Sequence, residues 1–293
     1  MQNIQAGILV EGTKLARYLE FSVDSEADVK TALQALVAKD VSENMVVGIG
    51  QSLLDMLGKN VIGLRTMQAK TGSGIEVPST PAAIWCWLRG TDRGEIFHRS
   101  RQLENILAPG FVITSVIDSF QYDANRDLSG YEDGTENPEG EEAVHAAIVQ
   151  DQGEGLDGSS FVAVQQWLHD FDALDAMSTK QKDDAIGRHI SDNEEFDEAP
   201  ESAHVKRSAQ ENFEPEAFML RRSMPWAEGM DAGLVFVAFG HSFTAFEAIL
   251  DHMLGKDDTV TDALFTFTRP VSGAYFWCPP VKAGKLDLSA IGF

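Results

Sequence analysis

Residues 130–138 read GYEDGTENP and lie near the middle of a chain of 293 residues. Two glycines, Gly130 and Gly134, bracket Asp133 within a polar, loop-like segment that extends from residue 125 to residue 152. Glycine lets the backbone approach a flat ligand closely, and a carboxylate held in such a turn is suited to accept a proton. Long loops in compact domains often carry function. Taken by itself, the stretch is better explained as a Gly-Asp turn that has no chemical role.

Two similar successions of strand and helix patterns lie on either side of this stretch. Apolar runs and helical spacing before it predict strands at 21–23, 45–49, 83–88 and 111–120, and helices at 25–40, 51–57 and 95–107. The same criteria after it predict strands at 161–167, 218–222, 234–239 and 274–278, and helices at 171–186 and 243–254. Two α+β halves of similar order indicate a duplicated ferredoxin-like unit, an antiparallel sheet with peripheral helices. We place the halves at residues 1–140 and 155–293.

Charge and composition limit the possible partners and the compartment. The net charge of −23 disfavours nucleic acids and anionic membranes as partners. Apolar runs stay well short of about 18 residues, so we expect no membrane-spanning helix, and the N-terminus lacks the pattern of a secretory signal. Cys86 and Cys278 both lie in apolar, aromatic runs. We therefore expect buried free thiols and a cytoplasmic protein.

Two further motifs fail on inspection. Gly48 and Gly50 follow a predicted strand, but Leu53 stands where a dinucleotide-binding turn needs its third glycine. A calcium-loop pattern begins at Asp123 and breaks down at Leu128, in the position that requires glycine. Nucleotide and calcium binding are accordingly disfavoured.

One histidine and one pair of arginines stand out among the other polar residues. His204 lies in the loop sequence PESAHVKR of residues 200–207, away from any apolar periodicity. Arg221 and Arg222 lie within a predicted strand, where an inward-facing arginine needs an anionic partner. A solvated loop histidine and an edge strand with solvated arginines remain open at this point. The chain has no Cys-x-x-Cys-His sequence, so any haem is held non-covalently.

Taken in order along the chain, these segments resemble the dye-decolourising peroxidases. Residues 130–138 are similar to the signature of that family. Five later segments then follow in the family's order and at similar spacing, namely 158–165, 186–188, 203–205, 221–225 and 233–236. The bacterial cytoplasmic branch is the most similar, because the chain is short, lacks an export signal and has Ser223 two residues after Arg221. That spacing is also what selects Arg221 over Arg222.

The resemblance implies a fold and a haem site. The fold would be two ferredoxin-like halves of the dimeric α+β barrel type, with one haem b per chain held mainly by the second half. His204 would be the proximal iron ligand, and Asp262 would accept a hydrogen bond from its other ring nitrogen. Asp133, Arg221 and Ser223 would act on hydrogen peroxide. The remaining haem contacts implied are Glu132, Gly134, Thr135, Arg188, Leu234 and Phe236.

The implied activity is reduction of hydrogen peroxide coupled to one-electron oxidation of dyes, phenolic compounds or other organic reductants. Trp226, Tyr131 and Tyr275 are candidates for relaying electrons from large donors, although core packing is the usual role of such residues. We expect Arg221 to lower the pKa of Asp133, and activity to be highest at about pH 4–6.

Other interpretations remain open. The same scaffold could serve a chlorite-dismutase-like or haem-modifying enzyme, a non-enzymatic haem carrier or a haem-free interaction domain. Apolar segments such as 274–277 and the resemblance together favour a homo-oligomer, dimer or larger. The sequence up to Phe293 shows no clear tail that would target the protein to an encapsulating shell.

Overall fold

The computed structural model describes residues 3–24 and 28–293. The first half contains six strands and four helices: β1 (Leu15–Val23), α1 (Val29–Ala38), β2 (Met45–Gly50), α2 (Gln51–Leu57), β3 (Lys70–Gly72), β4 (Ile75–Val77), β5 (Ile84–Gly90), α3 (Arg93–Leu107), β6 (Phe111–Phe120) and α4 (Gly140–Ala147). The predicted helix at 25–40 is shorter than expected, and its residues 25–27 lie outside the described part of the chain.

The second half contains eight strands and four helices among the described residues. They are β7 (Ser160–His169), α5 (Phe171–Ala176), α6 (Thr179–Ile186), α7 (His204–Arg207), β8 (Leu220–Arg221), β9 (Met224–Glu228), β10 (Asp231–Gly240), α8 (Thr244–Met253), β11 (Thr268–Pro270), β12 (Ala274–Cys278), β13 (Val281–Lys282) and β14 (Lys285–Leu286).

The ten strands of the main sheet form a closed antiparallel barrel with two short edge strands. Strands of the first half lie in the order β2-β5-β1-β6, and those of the second in the order β12-β7-β10-β9. In each half this is the order 2-3-1-4 read from one edge, which is the ferredoxin-like arrangement. β12 pairs with β2 and β6 pairs with β9, which joins the two halves. β7 pairs with β10, which closes the barrel. The predicted α+β fold with two ferredoxin-like halves is confirmed.

The two faces of the barrel strands enter two separate cores. Successive side chains of a strand point to opposite faces, and on β5 the rings of Trp85 and Trp87 pack with Phe239 and Phe276 into one cluster. Residues of the other face, such as Cys86, pack against the helices. The same alternation on β10 sends Leu234 and Phe236 towards α8, where they form one wall of the site described below.

The predicted helix at 171–186 is wrong as a single element, because two helices occupy it. Asp170 caps α5, which ends at Ala176. Ser178 then begins α6 with a capping box, in which its side chain accepts from the backbone of Gln181 and the Gln181 side chain accepts from Ser178. Serine at an N-cap stabilises a new helix start by about 1 kcal/mol. The apolar periodicity runs across this break and therefore concealed it.

Both cysteines are buried free thiols, as predicted. Burial raises the pKa of Cys86 to about 12, and it raises the pKa of Cys278 further because the Cys86 sulfur adds to the effect. Among the helices of residues 3–24 and 28–293, none has the length and apolar character needed to cross a bilayer.

Glu20 on β1 gives a prediction about stability. Burial raises its pKa to about 7, so the folded chain favours the protonated form. The stability that this form provides is complete below the unfolded pKa and is lost as the pH rises through 7. We expect Glu20→Gln to raise the free energy of unfolding at pH 8 by roughly 1–2 kcal/mol. A shift of one pKa unit corresponds to about 1.4 kcal/mol, and the effect is reduced because the Glu20 side chain is partly exposed to water. At pH 4 the gain should vanish.

Thermal unfolding at both pH values measures this effect. Glu76→Gln on β4 is the control, because Glu76 is exposed. An equal stability of Glu20→Gln and the unaltered chain at pH 8 would show that Glu20 is not held in an unfavourable environment.

Candidate active site

One cavity brings His204, Asp133 and Arg221 together and is called the main cavity below. It lies between strands β7 and β10 and helix α8, and its space is about 1010 Å³ with the open mouth included. Its largest wall is apolar and comes from β10 and α8, through Leu234, Phe236, Phe246, Ile249, Leu250 and Met253. Its polar lining includes Asp127, Glu132, Asp133, Gln165, His169, His204, Gln210 and Arg221.

His204 opens the single-turn helix α7 and faces this cavity with one nitrogen available. Its Nδ1 donates to Oδ2 of Asp262 at 2.7 Å, and the Asp262 side chain is fully buried. Because a carboxylate only accepts, the proton lies on Nδ1 and the lone pair lies on Nε2. Nδ1 bonding to a carboxylate is the usual way to orient a metal-binding imidazole and to raise its basicity.

Asp262 is held in place by its own contacts. Its Oδ1 accepts from the backbone of Leu264 at 2.8 Å and so caps the 3-10 helix Ala263–Thr266. Its backbone N–H donates to Met253 at the end of α8. Asp262 is therefore both a helix-start residue and the partner of His204.

His169 lines the same cavity but has neither ring nitrogen free. Nδ1 contacts Oγ of Thr268 at 2.7 Å, and Nε2 contacts the Asp127 carboxylate at 3.0 Å. Burial acts to raise the pKa of Asp127, but the hydrogen bonds from His169 and Ser129 outweigh it and hold that pKa below its usual value. Of the two cavity histidines, His204 alone has a nitrogen available for a metal.

Asp133 is positioned by a tight loop between β6 and α4. The backbone of Asn125 accepts from the Asp133 N–H at 3.1 Å, and the Asn125 side chain donates to the Asp133 carbonyl at 3.0 Å. Gly134 follows with a φ of +76°, and a side chain there would meet the amide of Asn137. Glycine at this position thus allows the sharp turn that presents Asp133 to the cavity.

Opposing influences act on the pKa of Asp133. Burial raises it and is the largest influence, Asp127 adds to this, and the charge of Arg221 acts in the opposite direction. The net direction is upward. Arg221 acts downward, as expected, but desolvation is the stronger effect.

Arg221 is fixed through its backbone by Asn137. The Asn137 side chain accepts from the Arg221 N–H at 2.8 Å and donates to the Arg221 carbonyl at 3.1 Å. This joins the end of the 130–138 stretch to strand β8. The Arg221 Nε is buried without a hydrogen-bond partner among the described residues, and no carboxylate there pairs with its guanidinium. Its positive charge is therefore left for a ligand.

Arg222 points elsewhere. Its guanidinium donates to the carbonyls of Ile8 and Leu9, which tie down the N-terminal segment. Ser223, whose Oγ accepts from the Val237 N–H at 3.4 Å, lines a side cavity that Asp133 and Arg221 also border. The structure thus brings Arg221 rather than Arg222 to the main cavity, whereas Ser223 lines the side cavity.

The other haem contacts implied by the resemblance lie around Asp133 and Arg221. Glu132 lines the main cavity and a neighbouring one, while Gly134 and Thr135 line that neighbour and the side cavity. Arg188 borders the neighbouring cavity, where its guanidinium pairs with Glu136 at 3.0 Å and with Glu195. Arg188 is thus already engaged by carboxylates of the chain.

These residues fit the haem that the resemblance implies. The apolar wall suits a flat hydrophobic ring system, and His204 offers a lone pair on Nε2. Two buried donors, Arg221 Nε and Gln165 Nε2, have no partner within the described residues although both side chains line the cavity. Unpaired buried donors are costly, so they indicate acceptors on a bound group.

Comparison with known proteins identifies the family. The sequence profile described as Dyp-type peroxidase, C-terminal, matches residues 124–283. The dye-decolorizing peroxidase of Rhodococcus erythropolis is 30% identical over 80% of this chain and 71% of that protein. This chain belongs to the Dyp-type peroxidases. It is accordingly a haem-dependent peroxidase, an oxidoreductase.

Further relatives agree with this assignment. The Dyp-type peroxidase described here is 29% identical to the dye-decolorizing peroxidase of Mycolicibacterium paratuberculosis, over 94% of this chain and 83% of that protein. A dye-decolorizing protein from V. cholerae superposes with a TM-score of 0.84 at 28% identity, covering 94% of this chain and 96% of that one. DyPB from Rhodococcus jostii has the same fold, with a TM-score of 0.85 at 23% identity over 94% and 95% of the two chains.

Three polar residues of this peroxidase's site were not found by sequence reasoning. Asn137 lies within the 130–138 stretch, but its contacts are with Arg221, which is 84 residues away along the chain. Asp127 and His169 contact each other at 3.0 Å on the cavity wall, and no motif in the sequence singled out either residue. Their signal in the sequence is at most a polar residue beside a predicted strand.

Proposed function

We propose that this peroxidase holds one haem b non-covalently in the main cavity, with His204 as the axial ligand and Asp262 as its hydrogen-bond acceptor. One observation carries the proposal: a single cavity is lined by a carboxylate-oriented imidazole and by the Asp133–Arg221 pair. Glu132, Gly134, Thr135, Leu234 and Phe236 would contact the ring or border it. Arg188 would meet a propionate by exchanging one of its present carboxylate partners.

The chain's own residues would prepare hydrogen peroxide for cleavage. When bound, the haem iron supplies the electrons that reduce peroxide. The Asp133 carboxylate would take the proton from one peroxide oxygen and return it to the other. The unpaired Arg221 guanidinium would stabilise negative charge as the O–O bond breaks. Ser223 would act from the side cavity that Asp133 and Arg221 also border. The apolar wall of Leu234 and Phe236 would keep bulk water and large donors away.

The substrates proposed are hydrogen peroxide and organic one-electron donors such as dyes and phenolic compounds. A chlorite-dismutase-like or haem-modifying enzyme and a haem carrier are not favoured, because family membership points to peroxidase chemistry. A carrier also has no need of a carboxylate and an unpaired arginine in one cavity.

Titration with haem followed by a peroxide assay tests the function. The purified chain should show a Soret band that saturates at one haem per chain, and the loaded protein should oxidise a phenolic donor with hydrogen peroxide. Chlorite serves as the competing substrate. Absence of saturable haem binding, or turnover of chlorite but not of peroxide, would refute the proposal.

The pH dependence follows from Asp133. The proton acceptor must be ionised, and its pKa lies above the ordinary aspartate value of about 3.9. We expect the rate of reaction with peroxide to rise with pH through a midpoint above that value, while turnover of anionic dyes falls towards neutrality as surface carboxylates ionise. Dye oxidation should then be fastest in the range of about pH 4–6. Stopped-flow mixing with peroxide at several pH values measures this rise in rate, and Asp133→Asn should abolish the rise. A rate that does not vary with pH would contradict the role of Asp133.

We further propose a homo-oligomer in the cytoplasm. The apolar segment at 274–277 does not support this, because all of β12 is buried within the chain. The structure offers other apolar side chains on β6, where Val112 and Val116 are 54% and 46% exposed. Light scattering at micromolar concentration should give at least twice the 32.1 kDa mass of the chain. A monomer mass would contradict the proposal.

A further inference from the structure

A second cavity lies at the C-terminal end of helix α4, and both His145 and His241 line it. Its space is about 990 Å³ with the open mouth included, and among the described residues it shares no lining residue with the main cavity. The apolar part of its lining consists of Ile62, Ile148, Val149, Leu156 and Phe161. We call it the histidine cavity. The proposed peroxide chemistry makes no use of it.

His241, the first residue after β10, is held against the end of α4. Its backbone N–H donates to the Ala146 carbonyl at 2.9 Å, and its ring Nδ1 donates to the same oxygen at 3.2 Å. Because a carbonyl only accepts, the ring proton lies on Nδ1 and the lone pair lies on Nε2. A backbone carbonyl is a usual partner of a metal-binding imidazole, whose other nitrogen then holds the metal.

His145 precedes Ala146 in the last turn of α4 and offers a second imidazole. Its ring has no hydrogen-bond partner among the described residues, and its centroid lies 6.3 Å from that of His241. Two imidazoles can share one metal ion, through nitrogens at about 2.1 Å, when their ring centres are no more than about 6.4 Å apart. The pair lies just within this limit, and the exposed His145 side chain can rotate to bring the rings closer.

The surroundings of the two rings favour a hydrated cation. The C-terminal end of a helix carries partial negative charge, and the Asp151 carboxylate lines the same cavity. Ser159 also lines it, and the Ser159 Oγ is buried without a hydrogen-bond partner among the described residues. A buried hydroxyl that lacks a partner is costly. It therefore indicates an occupant that forms hydrogen bonds, such as water bound to a metal.

We propose that His145 and His241 bind a divalent transition-metal ion, with water in the remaining coordination positions. Imidazole ligands suit Zn²⁺, Ni²⁺ and Cu²⁺, whereas Mg²⁺ and Ca²⁺ prefer oxygen. The ion joins the end of α4 to the end of β10. Asn137, which binds Arg221, lies just before α4, and β10 pairs with the strand that carries Arg221. The metal thus stabilises the frame around the active site. This inference does not depend on the proposed function, because it involves no haem.

Another group of metal-binding side chains offers a competing site. His252, Asp257 and Asp258 have ligand atoms within 4.8 Å of one another. The Arg207 guanidinium already lies among them, at 2.6 Å from Asp258 and 3.8 Å from Asp257. A fixed positive charge at this distance repels a cation. The histidine pair is therefore the better site, and His252→Ala distinguishes the two.

Calorimetric titration of the haem-loaded protein with Zn²⁺, after removal of any purification tag, tests the inference. We expect binding that saturates at one ion per chain. In His145→Ala and in His241→Ala the affinity should fall by more than about 10- to 100-fold, the loss typical of a missing partner to a metal ligand. His98→Ala is the matched control, because His98 is an exposed histidine on helix α3. It should bind zinc like the unaltered chain.

Two further measurements report on the ligands and on the frame. X-ray absorption at the zinc edge should show two imidazole nitrogens at about 2.0–2.1 Å. Zinc at about 100 times its dissociation constant should raise the melting temperature by about 4–8 °C, and a chelator should reverse the rise. Calcium at the same concentration should leave the melting temperature unchanged.

Several outcomes would overturn this site. They are the absence of saturable zinc binding, an unchanged affinity in both His145→Ala and His241→Ala, and a loss of binding in His252→Ala alone. An equal loss in His98→Ala would mean that zinc binds to exposed histidines without a defined site. None of these results bears on the reaction with peroxide, so the peroxidase proposal stands or falls separately.

Discussion

Replacement of His204 by alanine should abolish stable haem binding, which is the largest effect we expect from any single substitution. No other histidine in the main cavity has a free nitrogen, because both nitrogens of His169 are engaged by Thr268 and Asp127. Loss of an orienting partner of a metal ligand typically costs about 10- to 100-fold in affinity, and loss of the ligand itself should exceed that. Titration of the Soret band measures the affinity.

Two further variants show whether the loss is specific to the ligand. Asp262→Asn keeps a hydrogen-bond acceptor near Nδ1 but removes the charge, so its haem affinity should fall by about 10- to 100-fold. His169→Asn alters the same cavity without touching the proposed ligand and should retain haem. If His204→Ala binds haem with an unchanged spectrum while His169→Asn does not, the ligand is His169 and the assignment fails.

The fold could be predicted from the sequence because the periodicity of apolar residues indicates which positions are buried. Met45–Gly50, Phe111–Phe120 and Ala274–Cys278 are strands whose side chains enter the two cores, and such runs are visible in a single chain. The ferredoxin-like arrangement of each half followed from the alternation of strands and helices. The break between α5 and α6 was missed because it depends on one serine, whose capping contacts interrupt the helix without interrupting the apolar pattern.

The site was predictable only where residues occur in recognisable segments. The resemblance selected His204, Asp133 and Arg221, and the structure places all three on one cavity. Their roles, and the division into halves at 1–140 and 155–293, stay predictions. What the sequence lacked was the pairing of distant residues, such as Asn137 with Arg221, and the strength of burial. The second omission matters for the pKa of Asp133, since the charge of Arg221 is visible in the sequence and desolvation is not.

Arg221→Ala should slow the reaction with hydrogen peroxide more than Asp133→Ala does. The Arg221 guanidinium has no ion-pair partner among the described residues, and its Nε lies in a buried position. Its charge therefore acts at full strength on the oxygen that becomes negative, in surroundings of low dielectric constant. Removal of one such electrostatic donor typically costs roughly 2.7–4 kcal/mol, or about 100- to 1,000-fold in rate.

Asp133→Ala removes the proton acceptor instead. A general base contributes about 100- to 10,000-fold, a range that overlaps the one for Arg221, so the ranking depends on the surroundings. Two features weaken the contribution of Asp133. Its raised pKa leaves part of the carboxyl protonated at acid pH, and the polar side cavity that it borders has room for water to take over the proton transfer.

Stopped-flow mixing with peroxide, followed by the decay of the resting Soret band, gives the second-order rate constant of each variant. Arg221→Lys retains the charge without the fork of guanidinium donors and should fall between the unaltered chain and Arg221→Ala. Arg222→Lys is the matched control, because Arg222 binds backbone carbonyls of the N-terminal segment. A slower reaction in Asp133→Ala than in Arg221→Ala would reverse the ranking and make the carboxylate the principal catalyst. Unaltered rates in both, with haem fully bound, would mean that peroxide is cleaved without this pair.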